Sequence, residues 1–372
     1  MTTEADAIRT VLTANPVPAD IFAPAFLAQV PVSQIIPIRD QVTAPLGVFE
    51  RLSGANGQYM AYYTHGTVKV LIHLDAQGKI DGLRLLDAII SGGNLDDAVK
   101  GFKDLPGIAS IVVMKNGREI ASINADKALG AGSTFKLAVL NALRKQIDSG
   151  KHRWNEVVAL KPAWKSLPSG VLQTWPDNAP VTIATLATEM ISISDNTGAD
   201  SLIHIVGRDA IRPYGASNVP FLTTREMFQI KSKSNAALRE QYRTGNAQQR
   251  AAVLSQLDKQ PLPDIAQLDP DPAFSDIEWH FNNRQLCALM QGVADLPLTS
   301  VNPGVASPSQ WKRVAYKGGS DWGVISMTTW LEAKNGARYC VSASWNNSKA
   351  AVTENTFANI YSTVLATLAG MK

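Results

Sequence analysis

The chain has 372 residues, 45% hydrophobic and 18% charged, which is enough apolar material for two or three domains and excludes global disorder. Its 35 basic and 32 acidic residues leave a net charge of +3 with no long basic run, so neither nucleic acid nor an anionic membrane is an expected partner. No apolar run is long enough to span a membrane. Met1 to Thr13 carries acidic residues and no apolar signal-peptide core, so the chain as it stands reads as cytoplasmic, or as periplasmic or secreted if a signal was removed.

Residues 1–92 read as a small α+β domain. Ala5 to Ala14 and Ala19 to Val30 have the pattern of short amphipathic helices, separated by Asn15-Pro16. Gln58 to Tyr63, Thr67 to Leu74 and Lys79 to Leu86 read as strands, with Asp75-Ala76-Gln77-Gly78 as a hairpin turn. Two helices followed by a curled antiparallel sheet resemble the cystatin-like, NTF2-like or ketosteroid-isomerase-like layout. His65, His73, Asp40 and Asp81 are read here as strand-surface or turn residues without a catalytic role.

Ser91-Gly92-Gly93-Asn94 reads as a linker, and residues 95–372 as a second domain. It opens with a helix at Asp96 to Lys103. A hairpin follows, Ile108 to Lys115 and Arg118 to Asn124, turning at Asn116-Gly117. A helix from Ser133 stops at Ser149-Gly150. Leu160 to Pro180 reads as an ordered loop. Helices are expected at Val181 to Ile191 and Ala199 to Val206. The spacings Thr223 to Glu226 and Ser275 to Glu278 are capping boxes, the second one opening a helix over Trp279 to Val293. Lys231 to Gln260 reads as surface helix. Trp311 to Lys317, Trp322 to Trp330 and Arg338 to Trp345 read as strands, with turns at Gly318-Gly319 and Lys334-Asn335-Gly336. Val352 to Ala369 closes the chain as a helix. Early and late strands around a helical middle suggest one sheet built from both ends of the domain. Cys287 and Cys340 fall on an expected helix and an expected strand. Two cysteines this sparse read as buried thiols, with their pairing left open.

The chemistry centres on Gly132-Ser133-Thr134-Phe135-Lys136. A small-residue turn delivers Ser133 to a helix start, and residues three apart on a helix share a face. A serine hydroxyl needs an adjacent base to attack at neutral pH. A lysine serves if burial or nearby positive charge lowers its pKa. The helix N-terminus adds free N–H groups and positive potential. A second such spacing, Ser309 to Lys312, reads as loop and strand start without function. Two further elements follow in order: Ser194-Asp195-Asn196 between two helices, and Lys317-Gly318-Gly319-Ser320 at the end of a strand.

This set resembles the S-x-x-K, S-D-N and K-T-G elements of class A β-lactamases and penicillin-binding proteins over about residues 95 to 372. With the N-terminal domain, the layout is similar to the β-lactamase-like hydrolases of clavulanic acid gene clusters. Ser166-Leu167-Pro168-Ser169-Gly170 and Thr223-Thr224-Arg225-Glu226-Met227-Phe228 also resemble that group. The resemblance implies an α+β chain whose second domain is a five-stranded antiparallel sheet flanked by helices, with an all-helical subdomain. It implies a serine hydrolase acting on a small acyl substrate: a β-lactam, ester or peptide. Ser133 would be the nucleophile and Lys136 its base. Ser194 would relay a proton, Asn196 would hold Lys136 and the substrate amide, and Lys317 would add positive charge. The N–H groups of Ser133 and Ser320, beside Gly319, would form the oxyanion hole.

The sequence departs from that pattern in two places. Gly318 replaces the hydroxyl residue that helps bind a substrate carboxylate, a loss Ser320 would partly make good. The stretch Gly207 to Leu222 holds Asp209 but no glutamate to drive deacylation, and Glu226 sits in a capping box. Poor class A-type deacylation is therefore expected. His65, His73, His152, His204 and His280 show no ligand-pair spacing, and no glycine-rich phosphate loop occurs, so no metal or cofactor is expected. Two alternatives stay open: a DD-peptidase, and a non-catalytic sensor that is acylated once and stays so.

Overall fold

The computed structural model describes residues 3–86, 88–90 and 94–371. Of the expected linker, Ser91-Gly92-Gly93 lies outside the described residues, and Asn94 is an N-cap, its side chain accepting from Asp96 N. The chain divides into two compact units.

The first unit runs to Gly101 and takes in Val305–Trp311 and the described residues from Thr353 onward. Its helices are α1 (Glu4–Thr13), α2 (Pro24–Gln29) and α3 (Val32–Thr43). The strands β1 (Phe49–Ala55), β2 (Gln58–Tyr63), β3 (Gly66–Leu74) and β4 (Ile80–Leu85) form an antiparallel meander in that order, and β5 (Ile89–Ile90) pairs with β3. Helix α4 (Leu95–Lys100) follows. Ile8, Val11, Leu46, Val68, Val70 and Ile80 form its core. Helix α3 and strand β1 lie in a stretch whose sequence carries no clean signal. Pro37 interrupts the helical pattern, and β1 is mostly exposed rather than alternating.

The C-terminal helix, Glu354–Gly370, belongs to this first unit together with α4, whereas the sequence reading gave both to the second domain. It buries Phe357, Tyr361, Val364, Leu365 and Leu368 on one face, and within the unit it packs against α3 and α4. A helical pattern shows that a face is buried but not which neighbour buries it.

The second unit covers Phe102–Gly304 and Lys312–Val352. Its hairpin is β6 (Ile108–Lys115) and β7 (Arg118–Ile123), turning at Asn116-Gly117, where both residues have positive φ. After β8 (Leu129–Gly130) comes α5 (Lys136–Asp148), a central helix on which Leu137, Ala138, Val139 and Leu140 are all buried. The short pair β9 (Val157–Ala159) and β10 (Pro180–Thr182) brackets the proline-rich loop. Then come α6 (Ile183–Ser192), α7 (Asn196–Val206), α8 (Arg208–Ile211), α9 (Thr224–Ile230), α10 (Ala236–Thr244) and α11 (Ala247–Leu257), the helical part of the unit. Strand β11 (His280–Phe281) pairs with β8 and leads into α12 (Asn283–Gln291). Strands β12 (Arg313–Asp321), β13 (Val324–Glu332) and β14 (Arg338–Asn346) complete an antiparallel sheet in the order β12-β13-β14-β6-β7. Early and late strands thus share one five-stranded sheet, as expected.

Three details of the second unit differ from expectation. The helix placed at Trp279 to Val293 begins at Asn283, behind a capping box of Asn282 and Gln285. Glu278 makes no cap there because its carboxyl accepts from Gly132 N, 3.1 Å away. Gly318-Gly319 is not a turn but lies inside β12, and the chain reverses at Trp322-Gly323. Cys287 and Cys340 are not thiols; they form a disulfide joining α12 to β14. The pairing arises because α12 packs on the sheet and brings the two Cα atoms to 5.8 Å.

Candidate active site

The turn that carries Ser133 is built by local geometry. Gly132 to Phe135 forms one tight helical turn ahead of α5, and Thr134 Oγ1 donates to Ala131 O at 2.7 Å to close it. Gly132 takes φ +48°. A side chain there would meet Ser320 N at 2.8 Å, so this position combines a left-handed backbone with close approach of another segment. Phe135 stacks on Trp279 with ring centroids 3.7 Å apart and anchors the turn in the core.

Lys136 is fully buried, and four oxygens surround its amine. Nζ lies 3.0 Å from Ser133 Oγ, 2.7 Å from Asn196 Oδ1, 2.6 Å from Ser194 O and 3.1 Å from Ser194 Oγ. Burial brings its pKa down to about 7, against the opposing pull of the Asp200 and Asp195 carboxylates. A neutral amine within hydrogen-bond reach of a serine hydroxyl is the arrangement a general base requires.

Ser194 is held between α6 and α7 at φ +62°, a region few side chains adopt without support. The support comes from its neighbours. Asp195 caps α7 through Gly198 N at 2.8 Å, and its other oxygen accepts from Val171 N at 2.6 Å and Leu172 N at 2.8 Å. A side chain at Gly170 would meet that carboxylate at 2.1 Å, so glycine is required there. Asn196 Nδ2 donates to Leu167 O at 3.0 Å, and Ser169 Oγ donates to Ser194 O at 2.7 Å. The segment Ser166 to Gly170 is therefore the brace of the Ser-Asp-Asn loop.

Lys317, only 2% exposed, donates from Nζ to Ser194 Oγ at 3.0 Å and to Gly318 O at 2.5 Å. Burial, then the adjacent Lys136, pushes its pKa well below the ordinary lysine value. On the same strand, a side chain at Gly319 would meet Ser133 N at 2.2 Å and Thr134 N at 2.7 Å. The β12 backbone therefore runs directly against the Ser133 turn, with the Ser133 and Ser320 backbone nitrogens on the two facing segments. The structure thus gathers Ser133, Lys136, Ser194, Asn196, Lys317, Gly319 and Ser320 into one site.

Tyr316 and Asp200 carry no clear signal in the sequence. The Tyr316 hydroxyl lies 2.2 Å from where a side chain at Gly318 would begin, so it fills the space of the missing hydroxyl residue. Asp200, buried on α7, accepts from Thr224 N at 2.7 Å and Arg225 N at 2.8 Å, and burial raises its pKa to about 7. Glu226 is occupied as the capping box implies: Oε2 accepts from Thr223 N at 2.8 Å, and Arg208 reaches both carboxylate oxygens at 2.6 Å. Asp209 is exposed. Among the described residues, no carboxylate is hydrogen-bonded to Lys136, and no group of three potential metal ligands occurs. No helix among them is long and apolar enough to cross a membrane.

A search of curated proteins returned no match. A model of the beta-lactamase enzyme family matches residues 94–263, which include Ser133, Lys136, Ser194 and Asn196. Among solved structures, the β-lactamase from Sphaerobacter thermophilus DSM 20745 aligns with a TM-score of 0.52 and 20% identity, over 74% of this chain and 97% of that one. The second unit has a class A β-lactamase-like fold. An ancestral class A β-lactamase (GNCA) gives a TM-score of 0.51 at 15% identity, over 75% of this chain and 100% of that one. A class A β-lactamase representative from Bacteroides cellulosilyticus DSM 14838 gives 0.50 at 16% identity, over 76% and 100%. At these identities the structural likeness establishes the fold of the β-lactamase-like domain. The roles of its residues rest on the geometry above, and Lys317 lies outside the matched span.

Proposed function

We propose that the chain is a serine hydrolase that works through an acyl-enzyme at Ser133. The observation that carries this reading is the fully buried Lys136 amine 3.0 Å from Ser133 Oγ. The family match and the fold support the same class of enzyme.

In this reaction Lys136 Nζ takes the Ser133 proton as Oγ attacks the substrate carbonyl carbon. The oxygen, now negative, is met by the N–H groups of Ser133 and Ser320. Preformed donors of this kind are worth roughly 10²–10³ in rate each. The carbonyl C–N or C–O bond then breaks, the leaving group taking the Ser194 hydroxyl proton while Lys136 returns one to Ser194. Asn196 and Lys317 hold the two partners of that relay. Water then attacks the ester carbon and restores Ser133. With Glu226 tied to Arg208 and to Thr223 N, that last step lacks a ready carboxylate base, and the acyl-enzyme is expected to be long-lived.

The substrate class is a β-lactam, small ester or amide. A DD-peptidase would use the same groups. The occupied Glu226 also favours a second reading, in which the domain is acylated once and acts as a sensor. The narrower likeness to clavulanic-acid-cluster hydrolases rests on the sequence alone. Intact-protein mass spectrometry after brief incubation with a penicillin, a cephalosporin and an activated ester tests the proposal, with Ser133→Ala beside it. An adduct confined to the parent chain supports the nucleophile, and its lifetime separates hydrolase from sensor. No adduct and no product with any donor overturns the reading.

A further inference from the structure

Three buried charged side chains beside the nucleophile turn take no part in the steps above. Glu278 Oε2 accepts from Gly132 N at 3.1 Å, just before Ser133 in the chain. Lys231 Nζ donates to Asp321 Oδ2 at 2.6 Å and lies 3.6 Å from Glu278 Oε1. Asp321 directly follows Ser320, and its Oδ1 accepts from Trp322 N at 2.7 Å. The Lys231 and Glu278 side chains are 1% exposed and that of Asp321 13%. One end of the cluster therefore grips the segment carrying the Ser133 N–H, and the other the segment carrying the Ser320 N–H.

Resting on the serine-hydrolase reading, we propose that Glu278, Lys231 and Asp321 form a clamp that sets the spacing of these two N–H groups, with Glu278 acting as a protonated positioning residue. The backbones it joins are already in contact, since side chains at Gly132 and Gly319 would meet Ser320 N at 2.8 Å and Ser133 N at 2.2 Å. A small change in the clamp therefore reaches both donors.

The protonation state follows from the surroundings. As a carboxylate, Glu278 leaves Oε1 without a hydrogen-bond donor in a buried site. Two carboxylates against one ammonium would also leave a net negative charge where an oxyanion must form. As an acid, Glu278 keeps an oxygen for Gly132 N–H and directs its proton toward Asp321. Burial, opposed by Lys231 and reinforced by Asp321, raises its pKa to about 8. Burial pushes Asp321 upward, but the Lys231 ammonium outweighs it and keeps Asp321 ionised. The charged or titratable groups facing Glu278 are Lys231 at the end of α9, Asp321 on β12 and, on its own segment, His280, whose Nδ1 lies 3.1 Å from Glu278 O. The nucleophile turn presents only the Gly132 N–H.

The test is the pH profile of the acylation burst with a chromogenic cephalosporin and with 4-nitrophenyl acetate. The parent should lose rate above about pH 8. Glu278→Gln, which retains an acceptor and a donor, should keep its neutral-pH rate and lose that alkaline decline. Glu278→Ala should slow the burst about 10²-fold with KM little changed, as for a misplaced catalytic group. An Ala variant at parent rate, or a Gln variant that retains the decline, overturns the clamp. A second arm uses Ser133→Ala protein with labelled Glu carboxyl carbons and labelled Gly132 and Ser320 amides, followed by NMR against pH. Both amides should shift with the Glu278 titration, and amides that stay still overturn the clamp. If the parent takes no acyl group from any donor, the hydrolase reading falls and this NMR arm alone decides the clamp.

Discussion

Ser194 Oγ stands 3.1 Å from Lys136 Nζ and 3.0 Å from Lys317 Nζ, so one hydroxyl bridges two buried amines. Two ammonium ions this close would repel, and burial penalises both charges, so each lysine favours the neutral form of the other. Ser194→Ala removes the bridge and, with it, the proposed proton relay. Acylation of that variant, measured by stopped-flow with an activated ester, should fall by roughly 10²–10⁴, the usual share of a positioned proton-transfer group.

Lys136 gives the pH dependence its acid limb. A base with a pKa of about 7 is charged and inactive below that value, so acylation should rise with pH through about 7 and level off until Glu278 ionises. The same shift acts on stability with a definite sign. The folded pKa lies below that of the unfolded chain, so between about pH 7 and the ordinary lysine range the unfolded chain binds more protons. Stability contributed by this group therefore increases as pH rises through that window, by at most about 1.4 kcal/mol per pH unit. Urea unfolding of the parent and of Lys136→Met at pH 7 and pH 9 should show the gap between them moving in the parent's favour at the higher pH.

Gly319 has no room for a side chain. In Gly319→Ala the added carbon would lie 2.2 Å from Ser133 N, a backbone atom that cannot swing aside. The two strands of backbone must separate, and acylation should drop about 10²–10³-fold, as for loss of one oxyanion donor. Circular dichroism and burst kinetics on the same sample would separate this local effect from misfolding. An Ala variant with an unchanged burst would mean that the two N–H groups do not act together.

Tyr316 offers a different test. Its hydroxyl fills the space above Gly318, where the family pattern carries a threonine or serine. Tyr316→Phe should raise KM several-fold for substrates bearing a carboxylate beside the reacting carbonyl and leave uncharged esters unaffected. Equal effects on both substrate types would remove the hydroxyl from substrate recognition.

The disulfide between Cys287 and Cys340 closes a loop with a sequence separation of 53. Loop-closure entropy for that length puts its contribution at about 4 kcal/mol, near the upper end of the usual range. A Cys287→Ser/Cys340→Ser double variant should lose stability of that order in urea unfolding while its acylation rate at 25 °C stays near that of the parent. A change below about 1 kcal/mol would show that the reduced chain keeps α12 and β14 docked on its own.

What the sequence made legible follows the range of the interactions involved. Ser133, Lys136, Ser194, Asn196 and Lys317 lie in short patterns whose spacing and order carry meaning, and the structure brings them together. Lys231, Glu278 and Asp321 come from three separate segments, and no local spacing connects them. Gly318-Gly319 was legible as part of the Lys317 element but was also read as a turn, because paired glycines usually mark one. Here Gly319 is demanded by a neighbouring backbone that the local sequence does not reveal. Cys287 and Cys340 read as buried thiols with their pairing open for the same reason, since only the packing of α12 on the sheet brings them within bonding distance. The exposed β1 and the proline-bearing α3 lacked the periodicity on which such a reading depends.

The Asn346 side chain accepts from Gly130 N at 2.6 Å and donates to Gly130 O at 3.1 Å, bridging 216 residues of sequence. Strand β14, which ends at Asn346, also lies between β6 and β13. During synthesis the β6–β7 hairpin emerges early and then waits, its apolar edge unpaired, until the ribosome has released nearly the whole domain. At about 5–20 residues per second this interval lasts on the order of ten seconds or more. For that time Ser133 and Lys136 exist without β12, whose Lys317 and Gly319 lie against the site, docked in a finished sheet. A nascent chain stalled in this window would display a sticky sheet edge to chaperones and would be chemically silent toward acyl donors. Activity would thus switch on late, when the last strand slots into the middle of the sheet.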